Sequence, residues 1–127
     1  MTRHQRSERA RRRDAESRGR WAEQQAANFL KTLGFSIQAT RAKSAVGEID
    51  IIAKKTDLLV FVEVKYRAHW SDGIDAILPR QQHRIAQAAE AWLATQPDHA
   101  TFDMRFDAII VNADGVSTHI EDAFRPE

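Results

Sequence analysis

Cysteine is absent from this chain of 127 residues, which excludes disulfides, thiolate zinc sites and a cysteine nucleophile. No apolar run approaches the roughly 18 residues that a membrane-spanning helix needs, so no membrane span is expected. The N-terminus has no apolar signal-peptide core, and cytoplasmic residence is the expectation. Internal repeats are missing. The five histidines, His4, His69, His83, His99 and His119, show no metal-ligand spacing. A formal net charge of +1 does not by itself mark a nucleic-acid binder. What remains is ordinary globular material: a hydrophobic content of 43% in a chain long enough to bury about two-thirds of its unfolded surface in one core.

The charge is unevenly spread. Residues 1–20 hold eight arginines against Glu8, Asp14 and Glu16. With almost no apolar side chains, this segment cannot bury enough surface to offset its ordering entropy. Residues 1–17 therefore read as a disordered or induced-helix basic arm, and residues 18–127 as a single domain. Such an arm can neutralise phosphates, with binding that falls steeply with salt; a solubilising tail is the alternative.

Beyond the arm, Ala22, Ala26, Phe29, Leu30 and Leu33 recur at helical spacing and Gly34 stops them, giving a helix over 19–33. Residues 35–42 read as a strand, and 67–75 as a polar loop. Ile85, Ala88, Ala89, Trp92 and Leu93 form the stripe of a second helix over about 78–95, ended by Pro97. Phe106 to Asn112 is a buried strand, and Asn112-Ala113-Asp114-Gly115 turns it into a short strand near 117–120. The fold class is α/β, a mixed sheet flanked by helices in two or three layers.

Between these elements lie two strands carrying charge at alternate positions: Gly47-Glu48-Ile49-Asp50-Ile51-Ile52-Ala53 and Phe61-Val62-Glu63-Val64-Lys65. Strand side chains alternate faces, so Glu63 and Lys65 project together. With Thr56-Asp57 as a two-residue hairpin loop, Lys55 pairs with Leu58, Asp50 lies opposite Glu63, and Glu48 opposite Lys65. Two facing carboxylates repel; a cation between them removes the difficulty, and Mg²⁺ is held by one or two carboxylates plus waters and substrate phosphate. The plain alternative is an amphipathic hairpin with a surface ion pair. Against it, Leu58-Leu59-Val60-Phe61-Val62 is apolar on both faces, as in a strand covered on both sides.

Asp50 followed by Glu63-Val64-Lys65 resembles the Asp…Glu-x-Lys core of the PD-(D/E)xK, or restriction-endonuclease-like, nucleases. More closely, residues 19–124 resemble the YraN family of small bacterial proteins, similar to archaeal Holliday junction resolvases. The resemblance rests on Gly19-x-x-Ala22-Glu23-x-x-Ala26, Gly47-Glu48-Ile49-Asp50, Val60 through Arg67, Arg105-Phe106-Asp107 and Glu121-Asp122-Ala123-Phe124. It implies a restriction-endonuclease-like αβββαβ core and a Mg²⁺-dependent (or Mn²⁺-dependent) endonuclease of DNA recombination or repair. Asp50, Glu63 and the Val64 backbone carbonyl would hold the metal, with Glu23 as a third acidic group acting directly or through water. Lys65 would orient or deprotonate the attacking water. Members carry Lys-Gln where this chain has Gln81-Gln82, which removes one cation expected near the site.

Arg80 and Arg84, at the start of the second helix, can contact phosphate, as can Arg67, and Gln82 can position substrate. Arg105 and Asp107 read as structural, facing away from Phe106 and bridging toward Glu63 or Lys65. The expected function is cleavage of phosphodiesters in DNA, branched or single-stranded; homodimerisation would suit two-strand cleavage. Two alternatives stand beside it: an inactive nucleic-acid binding module, and a protein-interaction domain of the recombination or repair machinery.

Overall fold

The computed structural model of the chain describes residues 1–69, 77, 79–99 and 101–126. Its elements are α1 (Arg3–Thr32), β1 (Ser36–Ser44), β2 (Gly47–Lys55), β3 (Leu58–Tyr66), α2 (Pro79–Ala94), a 3₁₀ turn (Pro97–His99), β4 (Asp103–Val111) and β5 (Ser117–Ile120). Residues 70–75 of the expected polar loop lie outside the described residues, as does Leu78 at the expected start of the second helix.

The five strands follow chain order, β1-β2-β3-β4-β5. Among the described residues only β3 and β4 run parallel, because α2 intervenes and returns the chain to the same end of the sheet. The Lys55↔Leu58 pair closes the β2–β3 hairpin around Thr56-Asp57. Strand β3 is the middle of the sheet, and Leu59, Val60, Phe61 and Val62 are buried. Val60, Val62 and Val64 pack with Ile51, Ile109 and Val111 beneath Ala22, Ala26, Ala27 and Leu30 of α1. Leu59 and Phe61 pack with Ile49, Ile52 and Ala108 beneath Ile85, Ala88 and Ala89 of α2. The result is three layers, α1, sheet and α2, around an αβββαβ core with β5 added at the edge.

Helix α1 ends at Gly34, φ +92°. The Phe35 N–H bonds the Leu30 carbonyl at 3.1 Å and the Gly34 N–H bonds the Lys31 carbonyl at 3.0 Å, the paired bonds of a Schellman cap. Phe35 and Leu30 both lie in the core on that side, so the cap also fixes the entry into β1.

At its other end, in the stretch that reads from the sequence as a disordered or induced-helix arm over residues 1–17, α1 begins at Arg3. Thr2 and Gln5 form a capping box, with the Gln5 N–H on Thr2 Oγ1 at 3.1 Å and the Thr2 N–H on Gln5 Oε1 at 2.8 Å. Arginine, alanine, glutamine and glutamate are all good helix formers. Almost every residue of this stretch is exposed, so propensity and capping shape it, with no help from burial. Among the described residues no helix is long and apolar enough to cross a membrane.

Candidate functional site

The alternation of faces along β2 fails at one place. Ile51 and Ala53 face α1 and Ile52 faces α2, yet Ile49, two residues before Ile51, also faces α2. The β2–β3 ladder stops at Ile51↔Val62. Just beyond it, the Asp50 carboxylate takes the place of the ladder: its Oδ2 accepts the Val64 N–H at 2.8 Å. This opens β2 away from β3 and turns the Asp50 side chain toward the Glu63 side of the gap. Expected pairing of Glu48 with Lys65 is lost by the same splay. Glu48 is exposed and lies across from Lys43 of β1.

Asp50 and Glu63 come together as expected, close enough for the charge of Glu63 to act on the Asp50 carboxyl. Burial, then the Glu63 charge, push the Asp50 carboxyl up to about 8, although the Val64 N–H works in the opposite direction. Burial also raises Glu63, opposed by Lys65. Two like charges in a desolvated gap cannot both ionise cheaply. Lys65 Nζ stands 3.4 Å from Glu63 Oε1, with side chains only 19% and 17% exposed, respectively. This is more enclosed than the surface ion pair of an amphipathic hairpin.

Glu23 reaches the same neighbourhood from α1, and its charge adds to the upward push on both carboxyls. Its Oε2, however, is held by Arg41 Nε at 2.7 Å. Arg41 sits in β1 between the pairs Thr40↔Ile51 and Ala42↔Ile49, with φ +49°. That left-handed conformation costs a non-glycine residue about 1–2 kcal/mol, and here it interrupts β1 alongside Asp50. The hydrogen bond to Glu23, then the charges of Glu23, Glu48 and Asp50, raise the Arg41 pKa. Arg41 is the site residue that sequence reasoning missed, since a single left-handed position inside a strand leaves no mark on hydrophobic periodicity.

Among the described residues no three His, Cys, Asp or Glu side chains gather into a ready metal site. The donor chemistry fits a two-carboxylate site: a pair of half-buried, neighbouring carboxyls whose charged forms disfavour each other is what a hard divalent cation relieves.

The other expected contacts lie elsewhere. Arg80 and Arg84 are exposed on α2. Gln82 donates from Nε2 to the Ile77 carbonyl at 3.0 Å and lines a recess with Pro79, His83, Arg125 and Pro126. Arg67 donates to the Tyr66 carbonyl at 2.6 Å and shares a recess with Lys65.

Arg105 and Asp107 do not bridge to Glu63 or Lys65. They bind each other through two bonds of 2.7 and 2.8 Å. His119 Nε2 and the Asp122 N–H complete the fully buried Asp107 carboxylate at 2.8 and 3.0 Å. Burial would raise the Asp107 pKa, but the bonds from His119, Arg105 and Asp122 outweigh it and lower it. Arg105 lies on β4 beside Asp107, whereas His119 and Asp122 come from β5 and the turn after it, whose register no sequence pattern fixed.

Comparison with known proteins adds the family. The pattern of the uncharacterised protein family UPF0102 matches residues 22–111. The chain is 50% identical over 103 residues to a UPF0102 protein of Rhodopseudomonas palustris (strain HaA2), covering 81% of this chain and 80% of the relative. It is 52% identical over 103 residues to a UPF0102 protein of Bradyrhizobium sp. (strain BTAi1), covering 81% of this chain and 76% of the relative. The chain belongs to the UPF0102 family, the YraN family that its motifs resemble.

Proposed function

We propose, from membership in the UPF0102 family and from the Asp50–Glu63–Lys65 cluster, that this protein is a metal-dependent nuclease acting on DNA phosphodiesters. The observation that carries the reading is the half-buried carboxyl pair with a lysine 3.4 Å from Glu63. Asp50 and Glu63 would hold Mg²⁺ (or Mn²⁺), with the Val64 carbonyl and, through water, Glu23 as further oxygen donors. When bound, the metal supplies Lewis-acid polarisation of the phosphoryl oxygen and a more acidic water.

The chain's own groups do the rest. Lys65 orients the attacking water and offsets the negative charge that gathers on the phosphoryl oxygens as the new P–O bond forms and the ester P–O bond breaks. Arg41 holds Glu23 in position beside the pair. The Val64 N–H fixes the Asp50 carboxylate so that it needs no reorganisation on binding.

Incubation with branched, single-stranded and duplex DNA in Mg²⁺ or Mn²⁺ tests the reading. Metal-dependent product is expected. Salt-sensitive binding without product would instead favour an inactive binding module. That second reading draws on Gln81, where the family pattern has lysine, and on Gln82, whose amide is engaged by the Ile77 carbonyl.

A further inference from the structure

Next to Lys65, the C-terminal end of β3 and the middle of α1 form two recesses that share Arg18 and Tyr66. One, of about 290 Å³, is lined by Arg18, Gly19, Val64, Lys65, Tyr66 and Arg67 with Ala15. The other, of about 330 Å³, is lined by Ser17, Arg18, Trp21, Tyr66 and Ala113. The Trp21 and Tyr66 rings meet edge-on, centroids 6.3 Å apart. The Arg18 guanidinium lies over the Tyr66 ring at 5.8 Å.

Trp21 is 38% exposed, an unusual place to leave an indole, but it is not loose. The turn after β4 supports it: a Cβ added at Gly115 would lie 3.4 Å from Trp21 Cζ2. Gly115 has φ +81°, a left-handed conformation that glycine adopts without strain, and this shapes the turn that lies against the indole. A supported, half-exposed indole beside an arginine plane is a stacking platform. The first recess, with Lys65 and Arg67, offers two cations where the attached backbone phosphate would run.

We propose that this double recess is a subsite for an unpaired nucleobase, stacked on Trp21 and Arg18, whose adjoining phosphate lies toward Lys65. Bases stack on aromatic and guanidinium planes whatever their identity, and only unpaired bases have a free face to offer. The inference rests on the nuclease reading and narrows it: the preferred substrate is a strand with unpaired bases beside the phosphate attacked, as in single-stranded or branched DNA. Stacking does not read the sugar, so RNA offers the same chemistry.

The test is binding in chelator, read by fluorescence anisotropy of a labelled 15-mer oligothymidylate and an abasic strand of equal length and charge. An oligouridylate alongside tells which sugar is preferred. Wild-type protein is expected to prefer oligothymidylate over the abasic strand. Trp21→Ala should weaken the oligothymidylate by about 10- to 100-fold, the worth of one base–aromatic stack, and leave the abasic strand unchanged. Trp21→Phe should retain most of the affinity, and Arg18→Gln should lose part of the base preference with the fold untouched. Equal binding of both strands by wild type, or unchanged oligothymidylate affinity in Trp21→Ala, would overturn the subsite. Because no metal is present, these outcomes are independent of cleavage. Base-dependent binding without cleavage in Mg²⁺ would sink the nuclease reading alone, and cleavage without Trp21 dependence would sink the subsite alone.

Discussion

Asp50 Oδ2 accepts the Val64 backbone N–H at 2.8 Å, immediately past the last ladder pair, Ile51↔Val62. A side chain thus replaces a strand as the partner of β3. The substitution of partners keeps the β3 backbone satisfied while opening a gap between two strands that would otherwise zip closed. The carboxyl pair sits in that gap, and its electrostatic strain is the property most open to experiment.

In chelator, the protein should lose stability as pH rises. The Asp50 and Glu63 carboxyls are raised above their ordinary values, Asp50 to about 8. Their contribution is therefore complete below about pH 4 and is lost as the pH climbs through the folded-state value. The slope of stability against pH is at most about 1.4 kcal/mol per unit for one proton. Asp50→Asn should flatten it, since the amide oxygen still accepts from Val64 and no longer ionises. Divalent metal should flatten it as well. Urea denaturation between pH 5 and 9 measures all three; a wild-type slope that metal does not change would argue against the pair as a cation site.

Asp107 should behave in the opposite sense. Its pKa is lowered, so its contribution is present above the ordinary carboxyl value and is lost as the pH falls through the folded one. Asp107→Asn leaves Arg105 and His119 without their common anion in a buried setting. A loss of about 2–4 kcal/mol is expected, seen as a lower urea midpoint with an unchanged slope. A change within experimental scatter would mean the network is dispensable.

Much of this geometry is legible in the amino-acid sequence. A two-residue loop fixes hairpin register, so Thr56-Asp57 alone sets Lys55 against Leu58 and brings Asp50 to Glu63. Extrapolation fails one step later, at Glu48 and Lys65, because regular alternation cannot anticipate a side chain that captures a ladder N–H. Arg41 is invisible for a related reason: its left-handed conformation and its reach to Glu23 are tertiary facts. The His119 and Asp122 partners of Asp107 depend on how β5 registers on β4, and a four-residue strand carries too little pattern to say. The apolar faces of α1, β3 and α2, by contrast, follow directly from periodicity, since burial selects them residue by residue.

Removing residues 1–17 should leave the fold intact, because the buried residues of α1 begin at Ala22. It should weaken nucleic-acid binding mainly at low salt, through phosphate contacts that the arginines supply. Far-ultraviolet circular dichroism and a salt titration of DNA binding check both parts. An unchanged salt slope would make the segment irrelevant to binding.

The most direct test of the proposed function compares Asp50→Asn and Lys65→Ala with the wild type in metal titration by calorimetry and in DNA cleavage. Asp50→Asn should lose metal affinity, because one of two half-buried carboxylates becomes a neutral amide. Lys65→Ala should bind metal as the wild type does and cleave nothing, because the lysine acts on the water and the phosphate. Full cleavage by the Lys65→Ala protein would contradict the mechanism assigned to this cluster.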